Sequence, residues 1–519
     1  MRPVLTAEQM RRVDERAVSD LGIPGATLME NAGRGAAEAL LAALPERGLV
    51  PRGLGVAIVC GGGGNGGDGF VVARRLKRAG ARPDVLLAVA PGALRGDAAL
   101  KFAEMRRAGI AARIVEDAAS ARGRLQRAGV IVDALLGTGA RGAPGLLVAA
   151  LIEAINAADR PVVALDLPSG LPADGGAPGG PVVSAWLTAT FAAPKPGLVL
   201  GPAAERAGRV VVVPIGVSDA EVARGAQIFL LETPDVARVF PPRPRDVHKG
   251  TYGHLLVLAG SVGKTGAAAL CARGALRAGV GLVTVGTAAS AQPTVAALSL
   301  EAMTEPLPET AARSLAMKAR EPIVALAETR SAVALGPGLG LDDETRALAR
   351  ILVSSLPRPM AIDADALTAL ADHLDALRGA PAARVLTPHP GEMARLLGGT
   401  VADVQRDRVA VARAFATTHG VHLVLKGART LIALPDGRVL VNPSGNAGMA
   451  SGGTGDVLTG VLGACLARGI DTADAAPAAV YLHGLAGDVA AERVGEEALI
   501  ASDVIEALGE AFRRLAGER

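Results

Sequence analysis

VAIVCGGGGNGGDGF, Val56 to Phe70, starts as an aliphatic run suited to a buried strand, empties into glycines, and ends where a helical apolar spacing begins. Strand, glycine turn, helix is the opening unit of an alternating β/α chain, because glycine lets the backbone turn tightly and approach a ligand or a neighbouring element closely. The same grammar recurs downstream. Strand-like runs follow at DVLLAVA (84–90), VIVDALLG (130–137), PVVALDLPSG (161–170), ATFAAP (189–194) and VVVVPIG (210–216), separated by helical patterns such as 70–79 and 98–108. Near-continuous aliphatic strands, rather than alternating ones, predict a parallel sheet covered on both faces. Upstream, Thr6 stands three residues before Gln9 at the head of a helical spacing that reaches Leu44, the arrangement of a capping box.

The pattern breaks near residue 225, at a short strand QIFLL and the proline- and charge-rich PPRPRDVHKG. A second series then starts with HLLVLAG (254–260), GLVTVG (281–286), SAVALGPG (331–338), PMAIDADAL (359–367), ARVLTPHPGE (383–392), VHLVLKG (421–427) and a hairpin around PDGRVLVN. It closes on GNAGMASGGTGDVLTG, a second glycine loop running into a helix. The predicted fold class is α/β, as two tandem three-layer α/β/α domains, 1–225 and 226–519; 519 residues exceed what one hydrophobic core ordinarily organises. Half of the residues are hydrophobic but only 2% are aromatic, so these cores must be built from Ala, Val and Leu. The 54 basic and 51 acidic residues nearly cancel, which argues against a nucleic-acid surface. Cys60, Cys271 and Cys465 lie too far apart for a zinc motif or a disulfide framework and suit a reducing compartment. The N-terminus lacks the apolar core of a signal peptide, and the longest apolar passages are broken by glycines and Lys264, short of the about 20 residues a membrane span requires. A soluble cytoplasmic chain with no membrane partner is expected.

Gly61, Gly63 and Gly66 spell GxGxxG, the turn that holds a dinucleotide pyrophosphate. Alone it is a weak signal, and two features oppose an oxidoreductase of that type. The acid expected after the second strand is missing, since Asp84 lies at that strand's start, and Asp68 would repel a phosphate beside it. Asp133 and Asp166 end later strands, at the edge of a parallel sheet where ligands bind, and would share a crevice with Asn65, Asp68 and Ser169. Any one of these acids could simply cap a helix; together they suggest an oxygen-ligated hard cation or an acid/base pair. In the second series, Gly452–Asp456 (GGTGD) offers amides for an anion and a carboxylate to take a proton from an attacking hydroxyl. Lys426, closing a strand, could meet a phosphate or merely decorate the surface. SVGKTG (261–266) is not a Walker loop, because the first glycine of that motif would have to be residue 258, which is Leu258. His389, between two prolines, is rigidly placed.

ENAGRG (Glu30–Gly35), the glycine-Asn-Asp turn, VDALLGTG and DLPSG resemble the NAD(P)H-hydrate epimerase domain, a Rossmann-like doubly wound sheet. HKGTYG, DADAL, TPHPGE, LKGART and GNAGMASGGTGDVLTG resemble the ribokinase-like, ADP-dependent NAD(P)H-hydrate dehydratase domain. Their order is that of the bifunctional nicotinamide nucleotide repair family, and the resemblance covers nearly the whole chain. It implies metabolite repair: NADHX and NADPHX, hydrated at C6 of the nicotinamide ring, are epimerised between R and S forms, and the S form is dehydrated with ADP, releasing AMP and phosphate. Carried onto this chain, it implies an epimerase pocket of Gly64, Asn65, Gly66, Gly67, Asp68, Gly137, Thr138, Gly139, Ala140, Arg141, Gly142, Ala143 and Asp166, with K+ on Asn65, Asp133 and Ser169. It further implies hydrate binding in the second domain by Ala267, Gly338, His389 and Asp456, and nucleotide binding by Lys426, Gly427, Ala428, Arg429, Thr430 and Gly455, with Mg2+ accompanying ADP. Asp166 and Asp456 are the catalytic candidates, and a homo-oligomer is expected. Gly62 and Gly64 replace the family's usual Pro and first Asn, and Ala447 replaces a Pro before the anion-binding turn, which should loosen that approach. Two other readings remain at this level: an oxidoreductase fused to a sugar or vitamin kinase, and a non-catalytic nucleotide-sensing first half.

Overall fold

In the computed structural model, which describes residues 1–517, strand β1 (Gly55–Cys60) ends as predicted, but the following helix spans Gly64–Arg78 and begins well before Phe70. Asn65 to Asp68 therefore sit in the first turns of a helix and not in a loop. The glycines let that helix lie directly on the sheet. A Cβ on Gly66 would collide with the Gly61 carbonyl oxygen, and one on Gly69 would stand 2.8 Å from both Ala134 Cβ and Cys60 Sγ. Glycine costs a helix about 1 kcal/mol per residue relative to alanine. Close packing offsets that cost here, with Phe70, Val71 and Val72 completely buried.

Two compact units form, one of residues Arg2–Ala226 and one of Gln227 onward together with Met1. In the first, β1 is joined by β2 (Arg82–Leu87), β3 (Ala112–Ile114), β4 (Val130–Ala134), β5 (Val162–Leu165), β6 (Leu187–Phe191) and β7 (Arg209–Val213) in the order β3-β2-β1-β4-β5-β6-β7, all parallel. Val56, Ile58 and Cys60 face the helices Gly25–Ala43 and Gly64–Arg78, while Ala57 and Val59 pack against Leu125, Leu151 and Ile152 on the other side. Strand order reverses between β1 and β4, which opens a crevice at their carboxyl ends. Sequence reading missed β3, an edge strand with no aliphatic run, whose Ile114 is 52% exposed. The predicted N-terminal capping box is present, Thr6 and Gln9 bonding reciprocally at the head of helix Ala7–Ser19.

Part of ENAGRG is structural. Glu30 accepts from Arg74 at 2.5 Å, Arg75 at 2.7 Å and Lys101 at 3.1 Å; burial opposes its ionisation, but these cations prevail and hold its carboxyl down at about 2. Gly33 permits the helix crossing, since a Cβ there would stand 2.5 Å from Val71 Cβ.

The second unit contains β8 (Ile228–Leu230), β9 (His254–Leu258), β10 (Leu282–Ala288), β11 (Met303–Leu307), β12 (Ala332–Leu335), β13 (Met360–Ile362), β14 (Arg384–Leu386), β15 (His422–Leu425), β16 (Leu431–Ala433) and β17 (Val439–Val441). Their order within the unit is β8-β17-β16-β15-β14-β13-β12-β9-β10-β11, with β16 antiparallel to both neighbours and every other pairing parallel. Leu255 and Val257 join a core with Cys271, Val461 and Leu462, and Leu256 and Leu258 are buried on the opposite face, so helices cover both sides. Here the order reverses between β9 and β12. All three cysteines are buried free thiols, and among the described residues no helix is long and apolar enough to cross a membrane.

Candidate active sites

Asp166 follows β5 with a left-handed backbone (φ 62°), a conformation uncommon for a residue bearing a side chain. Its carboxylate accepts from Lys195 Nζ at 2.5 Å, from the Thr138 amide at 2.9 Å, and from the Thr138 hydroxyl. Lys195, only 1% exposed, also donates to Thr190 Oγ1 at 3.0 Å and to the Phe191 carbonyl at 2.9 Å. Burial disfavours an ionised Asp166, but Lys195 and Thr138 outweigh it and hold the carboxyl below its usual range. Asp68, 7% exposed, has no such support: burial first, then Asp166 and Asp14, push it well above the ordinary range, and Lys195 only partly compensates. Gly137 lies against Asn65 and Asp166, its missing Cβ falling 3.2 Å from Asn65 Cβ and from Asp166 Oδ2. Gly66 and Gly67 lie in the first turns of the helix beneath, whereas Gly139, Ala140, Arg141, Gly142 and Ala143 form an exposed rim. Neither Lys195 nor Asp14 was singled out from sequence. The available signal for Lys195 was a lone charge inside FAAPKPG, just past a strand.

The proposed cation ligands converge on the turn after β4. Asn65 Nδ2 donates to the Leu136 carbonyl at 2.7 Å, while Asn65 Oδ1 is buried with no hydrogen-bond partner. Ser169 Oγ donates to Asp133 Oδ1 at 2.6 Å and accepts from the Leu136 amide at 2.9 Å, and the Ser169 amide reaches Asp133 Oδ2 at 2.8 Å. Burial lifts the Asp133 carboxyl to about 6 against these hydrogen bonds. An orphaned buried oxygen beside a carboxylate and a hydroxyl is chemistry that fits a hard cation.

In the second unit Asp456 lies in the first turn of helix Thr454–Ala467, entered through Gly453 at φ 91°. Amides in that turn have no acceptor within the helix, so those of Gly455 and Asp456 are available to an anion. Lys426 Nζ donates to Asp363 Oδ1 at 2.8 Å and stands 3.8 Å from Glu392 Oε2, and Asp363 Oδ2 accepts from Thr459 at 2.7 Å. Gly455 sits against this pair, its missing Cβ 3.5 Å from Lys426 Nζ. Burial, then the negative charge of Asp363, raises the half-buried Asp456 to about 6, with Lys426 countering.

His389 caps helix Pro390–Leu397: its Nδ1 accepts from the Gly391 and Glu392 amides at 3.0 and 3.2 Å, which places the ring proton on Nε2, 3.6 Å from Glu392 Oε2. Gly338 (φ 59°) and Ala267 meet at the β9/β12 reversal, where Ser261 Oγ donates to the Gly338 carbonyl at 2.9 Å. Lys264 is committed to Asp365 at 2.9 Å, which agrees with rejecting a Walker loop. The turn Lys426–Thr430 is braced from Arg408, which reaches the carbonyls of Leu425, Lys426 and Ala428 at 3.1, 3.2 and 2.7 Å; Thr430 closes it onto the Gly427 carbonyl at 3.0 Å, and Arg429 adopts φ 55°. At Ala447 the loop is held without its proline: Asp488 accepts from the Gly445 amide and from Asn446 Nδ2, each at 3.0 Å. Asp363 and Glu392 lay inside quoted motifs without an assigned role, and Arg408 carried no sequence signal.

Two doubly covered α/β units, each with acids gathered at strand carboxyl ends and one with an anion-accepting helix start, define a two-domain enzyme of nucleotide chemistry. A family model described as NAD(P)H-hydrate dehydratase matches residues 255–509, and one described as YjeF-related protein N-terminus matches 25–197. The chain is 42% identical over 525 residues to the bifunctional NAD(P)H-hydrate repair enzyme Nnr of Moorella thermoacetica, spanning 99% of this chain and 97% of that one. Its identity to the protein of the same name from Escherichia coli is 36% over 503 residues, with 97% and 92% covered. Among solved structures, the ADP/ATP-dependent NAD(P)H-hydrate dehydratase of Bacillus subtilis, co-crystallised with ATP/Mg2+, is 32% identical with a TM-score of 0.49, covering 55% of this chain and 98% of that one. This chain belongs to the family of bifunctional NAD(P)H-hydrate repair enzymes.

Proposed function

We propose that residues 1–225 interconvert the R and S epimers of NAD(P)H hydrate and that residues 226–519 return the S epimer to NAD(P)H at the expense of ADP, releasing AMP and phosphate. Kinship along the full length accounts for both activities in one chain. The observation that carries the dehydratase assignment is Asp456, a half-buried carboxyl raised to about 6 at an open helix start beside Lys426. A base of that kind takes the proton of the C6 hydroxyl as oxygen attacks the terminal phosphoryl group of ADP, while the free amides at that helix start, Gly455 among them, receive the growing negative charge. Phosphate then leaves with the C6–O bonding pair, and loss of a C5 proton forms the C5=C6 double bond of NAD(P)H. His389, through Nε2–H, and the Ala267–Gly338 wall would hold the hydrate, and the Lys426–Thr430 turn the adenine nucleotide. Among the described residues no three His, Cys, Asp or Glu side chains gather into a metal site. A magnesium ion here would be held mainly by nucleotide phosphates and water, its common mode.

In the first unit, K+ would be held by Asn65, Asp133 and Ser169, supplying a positive charge that fixes the Leu136–Thr138 turn against Asp166. KCl is therefore expected to raise the melting temperature of the chain more than choline chloride at equal ionic strength, and Asn65→Ala to remove the difference. Equal shifts with both salts would count against this site. The whole function is tested by mixing the chain with both hydrate epimers and either ADP or ATP and following the reduced-nicotinamide absorbance. Complete recovery with ADP is expected. No recovery with either nucleotide would overturn the reading, and recovery of the S fraction alone at an enzymatic rate would make the first unit a binding module.

A further inference from the structure

Helix Thr472–Val494 holds both glycine loops of the second unit through one stretch, YLHGLAGD (Tyr481–Asp488). Ser444 Oγ lies 2.9 Å from the Tyr481 carbonyl, and Asp488 holds Gly445 and Asn446. Gly484 and Gly487 let the first loop lie on the helix, since a Cβ on Gly484 would collide with Ser444 Oγ and one on Gly487 with Met449 Sδ. The two loops are tied together at Thr454, whose hydroxyl stands 2.9 Å from both the Met449 and the Ser451 carbonyls. The Thr454 carbonyl in turn lies 3.0 Å from Nε2 of the buried His483, and because a carbonyl only accepts, the ring proton is on Nε2. Burial keeps that ring neutral, pushing it down to about 4.

That carbonyl belongs to the same peptide as the Gly455 N–H. A trans peptide is planar, so its C=O and N–H point in opposite directions, and fixing one aims the other. The aim needs fixing, because Gly452, Gly453 and Gly455 leave this helix start with little steric restraint and its first amides have no partner within the helix. A hydrogen bond on the carbonyl also polarises the peptide and strengthens its N–H as a donor. We propose that His483 is a positioning residue for phosphoryl transfer: through the Thr454–Gly455 peptide it aims the Gly455 amide at the phosphoryl group passing from ADP to the hydrate hydroxyl. The inference rests on the dehydratase reading of this helix start. The amide meets the charge of the transferring group most strongly in the transition state. A misaimed amide therefore slows turnover more than it weakens ADP binding, which the Lys426–Thr430 turn would also serve.

The test uses the full chain and the purified S epimer, with kcat and the KM for ADP measured separately. Glutamine can place an amide donor near the Nε2 position of histidine, whereas asparagine reaches only about as far as Nδ1, so the two variants differ mainly in reach. For His483→Asn, kcat is expected to fall about 10- to 100-fold with the KM for ADP changed by less than about threefold, while His483→Gln recovers a large part of the rate. Calorimetric binding of ADP checks that the second unit of each variant is folded, and His483→Met, apolar throughout, takes the place of the asparagine variant should that one not bind. Parental kcat in the variant without the donor, a loss confined to the KM for ADP, or a glutamine variant slowed just as much overturns the proposal. Loss of ADP binding in all three makes the histidine structural and overturns it too. A parental chain that binds ADP but does not dehydrate the S epimer sinks the dehydratase reading itself, and the proposal with it.

Discussion

Asp456→Asn is expected to lower ADP-driven dehydration by about 10²- to 10⁴-fold, the usual consequence of removing a general base, and to leave epimer exchange untouched. The parental rate should also fall as pH drops through about 6, because the base works only when ionised. Stability should move the other way. Asp456 has a carboxyl raised from 3.8 to about 6 in the fold, chiefly by burial, so the native chain binds its proton more tightly than the unfolded chain does. Its contribution to stability is therefore greatest below 3.8 and declines as pH rises through about 6, leaving a penalty of order 2–3 kcal/mol at neutral pH. The asparagine variant escapes that penalty and should melt at a higher temperature than the parent at pH 7. A variant that is both inactive and less stable would mean that Asp456 holds the Lys426–Asp363 cluster together instead of serving as the base.

What sequence reading could and could not see divides along a physical line. Buried parallel strands announce themselves through aliphatic runs, so the alternating order of strands and helices was legible. Edge strands β3 and β11 bury little and carry no run, which is why both were passed over. The glycine turn was read as a loop because glycine is a poor helix former; its tertiary reason, a helix pressed onto Gly61, Ala134 and Cys60, is a contact between distant residues that local propensity does not encode. The acids at strand ends were legible by position. Their partners were not: Lys195 holds the Asp166 carboxyl low and Asp363 helps to raise Asp456, each from a part of the chain remote in sequence, while Arg408 braces the Lys426–Thr430 turn through its carbonyls.

Lys195→Met tests the most heavily buried of those pairings. Removing one partner of a buried ion pair typically costs about 3–5 kcal/mol, since the remaining charge is left desolvated. For a unit of this size that corresponds to a drop of roughly 10 °C in melting temperature. In the parent, Asp166 is held below its usual range, so its stabilising contribution is present above the unfolded carboxylate value and is lost as pH falls through the lowered native one. Without Lys195, burial is no longer outweighed by a cation and the Asp166 carboxyl moves up from its lowered range; above the unfolded carboxylate value the sign reverses, and the variant should gain stability on mild acidification. Epimer exchange should be lost with the ionised base, while dehydration of the S epimer continues. The double variant Lys195→Met/Asp166→Asn separates charge from packing: it should recover much of the lost stability, because no unpaired charge remains, and none of the exchange activity. A single variant that costs less than about 1 kcal/mol, in the range of an exposed pair, would show that water reaches this pair in solution. The ammonium could then no longer account for an ionised Asp166 inside the crevice.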